Sequence, residues 1–328
     1  MSTRSPEKSA PSGRCESAPS GRCESAPSGR REVASGSAIL RLVEAQVRLG
    51  PRVPGTEAHD ALAHTLEEQL RVHDAEVTVQ EFPVVFRGST LACRNIVGVF
   101  RAAEPAEGLP LLMGTHYDTR IRADRERDAA RREMPIPGAN DGGSGTAVFL
   151  HMLPRLAGRV ISRDVAVAFL DAEDLGNIDG KEFALGAEWL ASHPVEGFVP
   201  SEVVVLDMVG GRNMVLDIDA HILDHPPSRW LTSQVFRIGR ENGWDPFVRD
   251  KKDRVKYLIA DHTPFARRGT PACILIDIDY PEWHTQEDLP EAMSDASLGV
   301  TEEALWLFLA GRPGSAPRSS PVTSSPSE

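Results

Sequence analysis

The sequence predicts an α/β fold of three layers: an open, mixed but mostly parallel central sheet with helices on both faces. Two observations carry this. Short apolar runs such as "DVAVAFL" and "ACILIDI" are bounded by turn and acidic residues, the pattern of strands buried on both sides. Amphipathic helical stretches alternate with these runs along the chain, which is how helices come to cover both faces of a sheet.

In order, "SAILRLVEAQVRLG" carries serines for a helix start, apolar residues at helical spacing and a closing Gly50. "RVPGTEAHDALAHTLEEQLRVH" is a turn and a second amphipathic helix. "EVTVQEFPVVF" alternates like a half-buried strand, with Pro83 favouring a bulge or a sheet edge. "RNIVGVF" and "LPLLMGTHYD" are further strands, and "GTAVFLHMLPRLA" is a helix opened by glycines. "DVAVAFLDAED", "EVVVLDMVG" and "ACILIDI" are buried strands, while "WLTSQVFRIGRENG" and "SLGVTEEALWLFLAG" are helices.

The ends of the 328-residue chain have a different composition. Residues 9 to 30 repeat "SAPSGRCE" nearly three times, and the segment from Gly311 is rich in Ser and Pro. Such segments bury too little apolar surface to offset their ordering entropy, so residues 1–35 and 311–328 are expected to be disordered flanks of one domain spanning 36–310. Net charge is −12; the first flank carries two net positive charges and the last one, which leaves about −15 on the domain. That balance argues against nucleic acid as a partner. The four cysteines form no CxxC pair, so neither a disulfide framework nor a thiolate zinc site is indicated. No apolar run approaches the roughly 18 residues of a membrane span, and no signal-peptide core is visible. The expectation is a monomer with no membrane partner, cytoplasmic as written, or secreted or periplasmic if translation starts elsewhere.

Chemistry gathers where the strands end. His116-Tyr117-Asp118, Asp171-Ala172-Glu173-Asp174 and Asp207 each follow an apolar run, and Trp283-His284 follows the last. Asp141 and Asp261 each precede a helix. Ligands of open α/β sheets bind beyond the carboxyl ends of the strands. Two carboxylates about 4 Å apart repel by roughly 4 kcal/mol at an effective dielectric near 20. The neighbourhood supplies no Lys or Arg that matches these acids, so the cluster calls for a metal. Carboxylates and imidazoles without thiolates suit Zn²⁺ at a catalytic site. Side-chain alternation along a strand would let one of Glu173 and Asp174 face the metal and the other the substrate.

These motifs resemble the M28 zinc peptidase superfamily, and within it the glutaminyl cyclase branch. The resemblance rests on "RVPGT", "HYDTR", "PIPGANDGGSGTA", "FLDAEDLG", "LGAEWLA", "VVVLDMVGG", "ADHTPFARRGTP" and "YPEWHTQEDLPE". It implies the zinc-exopeptidase-like fold and a zinc enzyme that turns the N-terminal glutamine of a peptide into pyroglutamate and releases ammonia. The alternative it allows is an M28 zinc aminopeptidase. It implies that Asp141, Asp174 and His284 hold a zinc, that Glu173 is the general base and acid, and that Asp207 and Asp261 form an acidic network with it. Trp283 and Tyr280 would contact substrate. His116 and Asp207 match positions that hold a second metal in the aminopeptidases, with Asp118 orienting His116, so one zinc is expected and two are allowed. Ala260 stands where such cyclases carry a further acid, and Asp174 is shorter than the glutamate of the vertebrate branch.

Overall fold

The computed structural model describes residues 36–102, 108–158, 161–249 and 253–311. The expectations for 1–35, and for the final segment beyond Gly311, lie outside the described residues. In chain order the elements are α1 (Gly36–Leu49), α2 (Glu57–Val72), β1 (Glu76–Phe86), β2 (Ser89–Phe100), β3 (Leu111–His116), α3 (Ala129–Arg132), α4 (Gly143–Ala157), β4 (Val165–Leu170), α5 (Leu185–Ser192), β5 (Glu202–Asp207), β6 (Ile218–Asp219), α6 (Pro226–Glu241), α7 (Asp245–Val248), β7 (Val255–Lys256), α8 (Thr263–Arg267), β8 (Ala272–Ile276) and α9 (Asp295–Ala310).

The main sheet runs β1-β2-β4-β3-β5-β8. β3, β4, β5 and β8 are parallel, while β1 and β2 form an antiparallel hairpin that joins at β4. The hairpin turns at Arg87 and Gly88, both at positive φ, as a tight two-residue turn matching the strand twist requires. Pro83 sits on β1, the outermost strand, in a ladder without a bulge, so its missing N–H breaks no interior pairing.

Alternation in β4 divides the core. Val165, Val167 and Phe169 pack with α1, α2, α4, α6 and α9; Ala166, Ala168 and Leu170 pack with α5 and α8. Thr56 caps α2 by accepting the His59 N–H, and Ser294 caps α9 by accepting that of Ser297. Among the described residues no helix is long and apolar enough to cross a membrane. Cys93 and Cys273 are buried free thiols, and burial pushes Cys273 up to about 12.

Candidate active site

The carboxyl ends of the four parallel strands face one floor. β3 ends on His116, β5 on Asp207, and the loop after β4 brings Asp171 to Asp174. The turn before α4 delivers Asp141, the turn before α8 delivers Asp261, and the loop after β8 delivers Trp283 and His284.

Two triads that could hold a metal ion form, sharing Asp141: His116 with Asp141 and Asp207, and His284 with Asp141 and Asp174. His116 Nε2 lies 3.3 Å from Asp141 Oδ1 and 3.5 Å from Asp207 Oδ1. His284 Nε2 lies 3.5 Å from Asp141 Oδ2 and 3.2 Å from Asp174 Oδ1. Each imidazole has a carboxylate behind it: Asp118 is 3.5 Å from His116 Nδ1, and Asp124 is 3.1 Å from His284 Nδ1. A carboxylate there fixes the ring and raises its basicity as a ligand. Burial alone works against a charged His284, but Asp174 and Asp124 outweigh it and hold it up to about 9.

Backbone clamps set the triads. Asp118 accepts the N–H groups of Glu173 and Asp174 at 3.2 and 3.1 Å. Asp288 accepts those of Asn140 and Asp141 at 2.9 and 3.1 Å. Burial, then the Asp141 charge, pushes the Asp288 carboxyl up to about 7. Gly142, at φ 77, completes the turn; a Cβ there would lie 2.4 Å from the Asp118 carbonyl oxygen. Ala172, Met208 and His284 also take left-handed φ values of 57, 47 and 57°, at segments that carry site residues.

Three sequence expectations are corrected here. Glu173 and Asp174 do not lie on a strand. β4 stops at Leu170 and the chain turns through left-handed Ala172, so their different surroundings come from a loop clamped by Asp118, not from strand alternation. The cluster does have cations. Arg120, only 2 % exposed, donates to the Asp174 carboxylate and carbonyl and to Asp124, and buried Arg52 donates to the carbonyls of Pro137 and Gly138. Tyr280, expected at the substrate, is instead buried, its phenol donates to Asp288 at 3.0 Å, and it is not among the residues lining the cleft. Tyr280→Phe is expected to cost about 1–3 kcal/mol by leaving Asp288 short of a donor, with KM near wild type. Denaturant unfolding and peptide kinetics check this; a raised KM without a stability loss returns Tyr280 to the substrate pocket.

Asp118, Asp141, Glu173, Asp174, Asp207, Asp261 and Asp288 are all buried around two buried guanidiniums. Burial, then repulsion from Asp261, Asp174 and Asp207 against the pull of His116, holds Glu173 well above the ordinary carboxyl range. Asp261 is pushed up to about 8 by burial and by Asp207 and Asp118, again against His116. Asp141 Oδ2, Asp174 Oδ2, Asp207 Oδ1 and His116 Nε2 are buried with no hydrogen-bond partner. Buried polar atoms of that kind demand a partner, and oxygen and imidazole donors in these triads fit a divalent cation such as zinc.

Above this floor lies a cleft of about 450 Å³. Asp141, Glu173, Asp207 and His284 reach it from below, and Trp283, Phe183 and Ala260 wall it. The Trp283 ring rests 4.4 Å from that of His284, with the Arg125 guanidinium 4.2 Å from its centroid. His116, Asp118, Asp174 and Asp261 are buried behind the surface.

Fold and site together define a metal-dependent α/β enzyme with its ligands at the carboxyl edge of an open sheet. Residues 95–309 match Peptidase family M28, and the chain belongs to that family. It is similar over most of its length to a Tannerella forsythia glutaminyl cyclase, with 28 % identity, a TM-score of 0.76, and coverage of 84 % of this chain and 98 % of that one. A leucine aminopeptidase precursor from Bacteroides thetaiotaomicron matches at 26 % identity and TM-score 0.76, covering 84 % and 97 %. The glutaminyl-peptide cyclotransferase of Bos taurus is 22 % identical over 325 residues, 85 % of this chain and 83 % of that protein.

Proposed function

We propose that the chain is a zinc-dependent glutaminyl-peptide cyclotransferase, converting an N-terminal glutamine to pyroglutamate with release of ammonia. The observation that carries this is Glu173, a buried carboxyl with raised proton affinity that opens onto the cleft beside Asp141. The similarity to a bacterial glutaminyl cyclase along nearly its whole length supports the same reading.

Asp141, Asp174 and His284 would hold the zinc. When bound, the ion supplies a Lewis acid for the γ-carbonyl of the glutamine side chain. The α-amine enters as its neutral form, accessible near pH 7 because its pKa is about 8 in free peptides, and Glu173 takes one proton from it as it attacks. The amine nitrogen bonds to the γ-carbonyl carbon, the bond from that carbon to the side-chain nitrogen breaks, and Glu173 returns the proton to the departing ammonia. Burial first, and then the neighbouring Asp261 and Asp207, raise the proton affinity of Glu173. Trp283 walls the pocket and excludes water. Incubating the purified protein with Gln-peptides and with Leu-amide, and detecting pyroglutamate and ammonia or free leucine by mass, tests the assignment; free leucine without pyroglutamate overturns it.

The shared Asp141 favours a second reading, an aminopeptidase with a metal in each triad. The two differ in metal content. One tightly held zinc is expected, because the resemblance to the cyclases leaves His116 without a metal of its own. Metal analysis of dialysed protein checks this. Two tight equivalents, with activity following the second, move the assignment to the aminopeptidase.

A further inference from the structure

The cleft does not end at the glutamine pocket. A second basin of about 320 Å³ adjoins it, and Glu182, Phe183 and Ile259 line both. Leu185 and Pro264 add apolar surface on one side, and Glu188, Thr263 and Arg267 make the rest polar. At the lip stand two apolar side chains held out in water: Tyr257 is 82 % exposed and Ile259 48 %.

Their exposure follows from how the segment is anchored. Leu258 and Ala260 point inward and are buried. The Leu258 N–H donates to Asp219 Oδ1 at 3.2 Å, and the Ala260 N–H donates to Thr263 Oγ1 at 3.2 Å. Asp219 is itself held at 2.9 Å by buried His262. An extended segment pinned at alternate residues turns the intervening side chains outward. The Tyr257 ring is further supported edge-on by His221 at 5.1 Å. Isolated apolar residues on a surface need no explanation. These two belong to one anchored segment, and both open onto the catalytic cleft.

A peptide whose N-terminal residue fills the inner pocket must leave through the open side. Successive residues advance by about 3.3 Å, so the second side chain falls at the mouth of the pocket. We infer that Tyr257, Ile259 and Phe183 form a subsite for the second residue of the substrate and select peptides in which it is large and apolar. The inference rests on the cyclotransferase reading and adds the substrate class to it. Tyr257 and Ile259 are specificity-determining residues here, remote from the bonds that change.

The test compares kcat/KM for Gln-Phe-amide and Gln-Gly-amide. The wild type should favour Gln-Phe-amide by about tenfold, as partial burial of an aromatic side chain gives. In Tyr257→Ser/Ile259→Ser the ratio should fall toward one. Both side chains are exposed, so this variant folds, and an unchanged melting curve checks that. Val72→Ser, at the 62 % exposed end of α2, controls for loss of surface apolarity and should keep the ratio. Equal turnover of both amides by the wild type overturns the inference, as does a preference that survives in the double variant. A wild type that turns over no Gln peptide fails the activity reading instead, and titration calorimetry of the same two amides then reads the subsite without catalysis. If the double variant binds both amides as the wild type does but falls from dimer to monomer in solution, the lip belongs to a second copy of this chain and the subsite is overturned.

Discussion

Glu173→Gln should keep its zinc and lose turnover by roughly 10²–10⁴, the range for removing a general base. Asp174→Asn, one residue along, should lose or weaken the metal itself. Composition treats the two acids alike; the structure separates them. Asp174 lies 3.2 Å from His284 Nε2 within a ligand triad, whereas Glu173 opens onto the cleft and joins neither triad. Glutamine preserves the shape of Glu173 but cannot take a proton. Asparagine removes an anionic ligand, and a site with fewer charges binds zinc less tightly. Zinc occupancy and pyroglutamate formation measured on both variants decide the matter. Loss of zinc from the first and retention by the second would reverse the two roles.

Arg120→Ala should be the most destabilising single change in this region, at about 3–5 kcal/mol, the cost of stripping one partner from a buried ion pair. Its guanidinium is 2 % exposed and bridges Asp124 and Asp174 while also serving the carbonyls of Asp174 and Gly176. Zinc affinity should fall as well, because Asp124 steadies His284. Arg120→Lys should rescue little: a single ammonium cannot span two carboxylates as a planar fork does. Denaturant unfolding with and without a chelator gives the measurement. A loss under about 1 kcal/mol would mean that Asp124 and Asp174 find other partners.

Most of the sheet was legible because parallel strands buried on both faces write themselves as unbroken apolar runs, as in "VAVAFL". The strand-end cluster was legible for a related reason: His116 and Asp207 close their strands, and a polar group directly after such a run stands out, while its grouping around a metal came only from the resemblance. The support behind it was not legible. Arg120 meets Asp174 across 54 residues of chain, Asp288 meets Asn140 across 148, and Asp124 meets His284 across 160. Only folding brings those pairs together, and a charged residue in a polar loop looks the same whether solvated or buried. The turn at Ala172 was hidden for another reason: alanine gives no local sign of a left-handed φ.

The two carboxylates that each grip a pair of successive amides, Asp118 and Asp288, have a consequence for how the enzyme is handled. They fix the backbone under Asp141, Glu173 and Asp174 with bonds that involve no ion. Holding that backbone should therefore not require the metal, unlike a zinc finger, where binding and folding are one event. Little chain entropy remains to be lost on loading, so metal binding needs no folding step. A chelated sample should regain full activity on simple addition of zinc, at the speed of diffusion and dehydration and with no refolding phase.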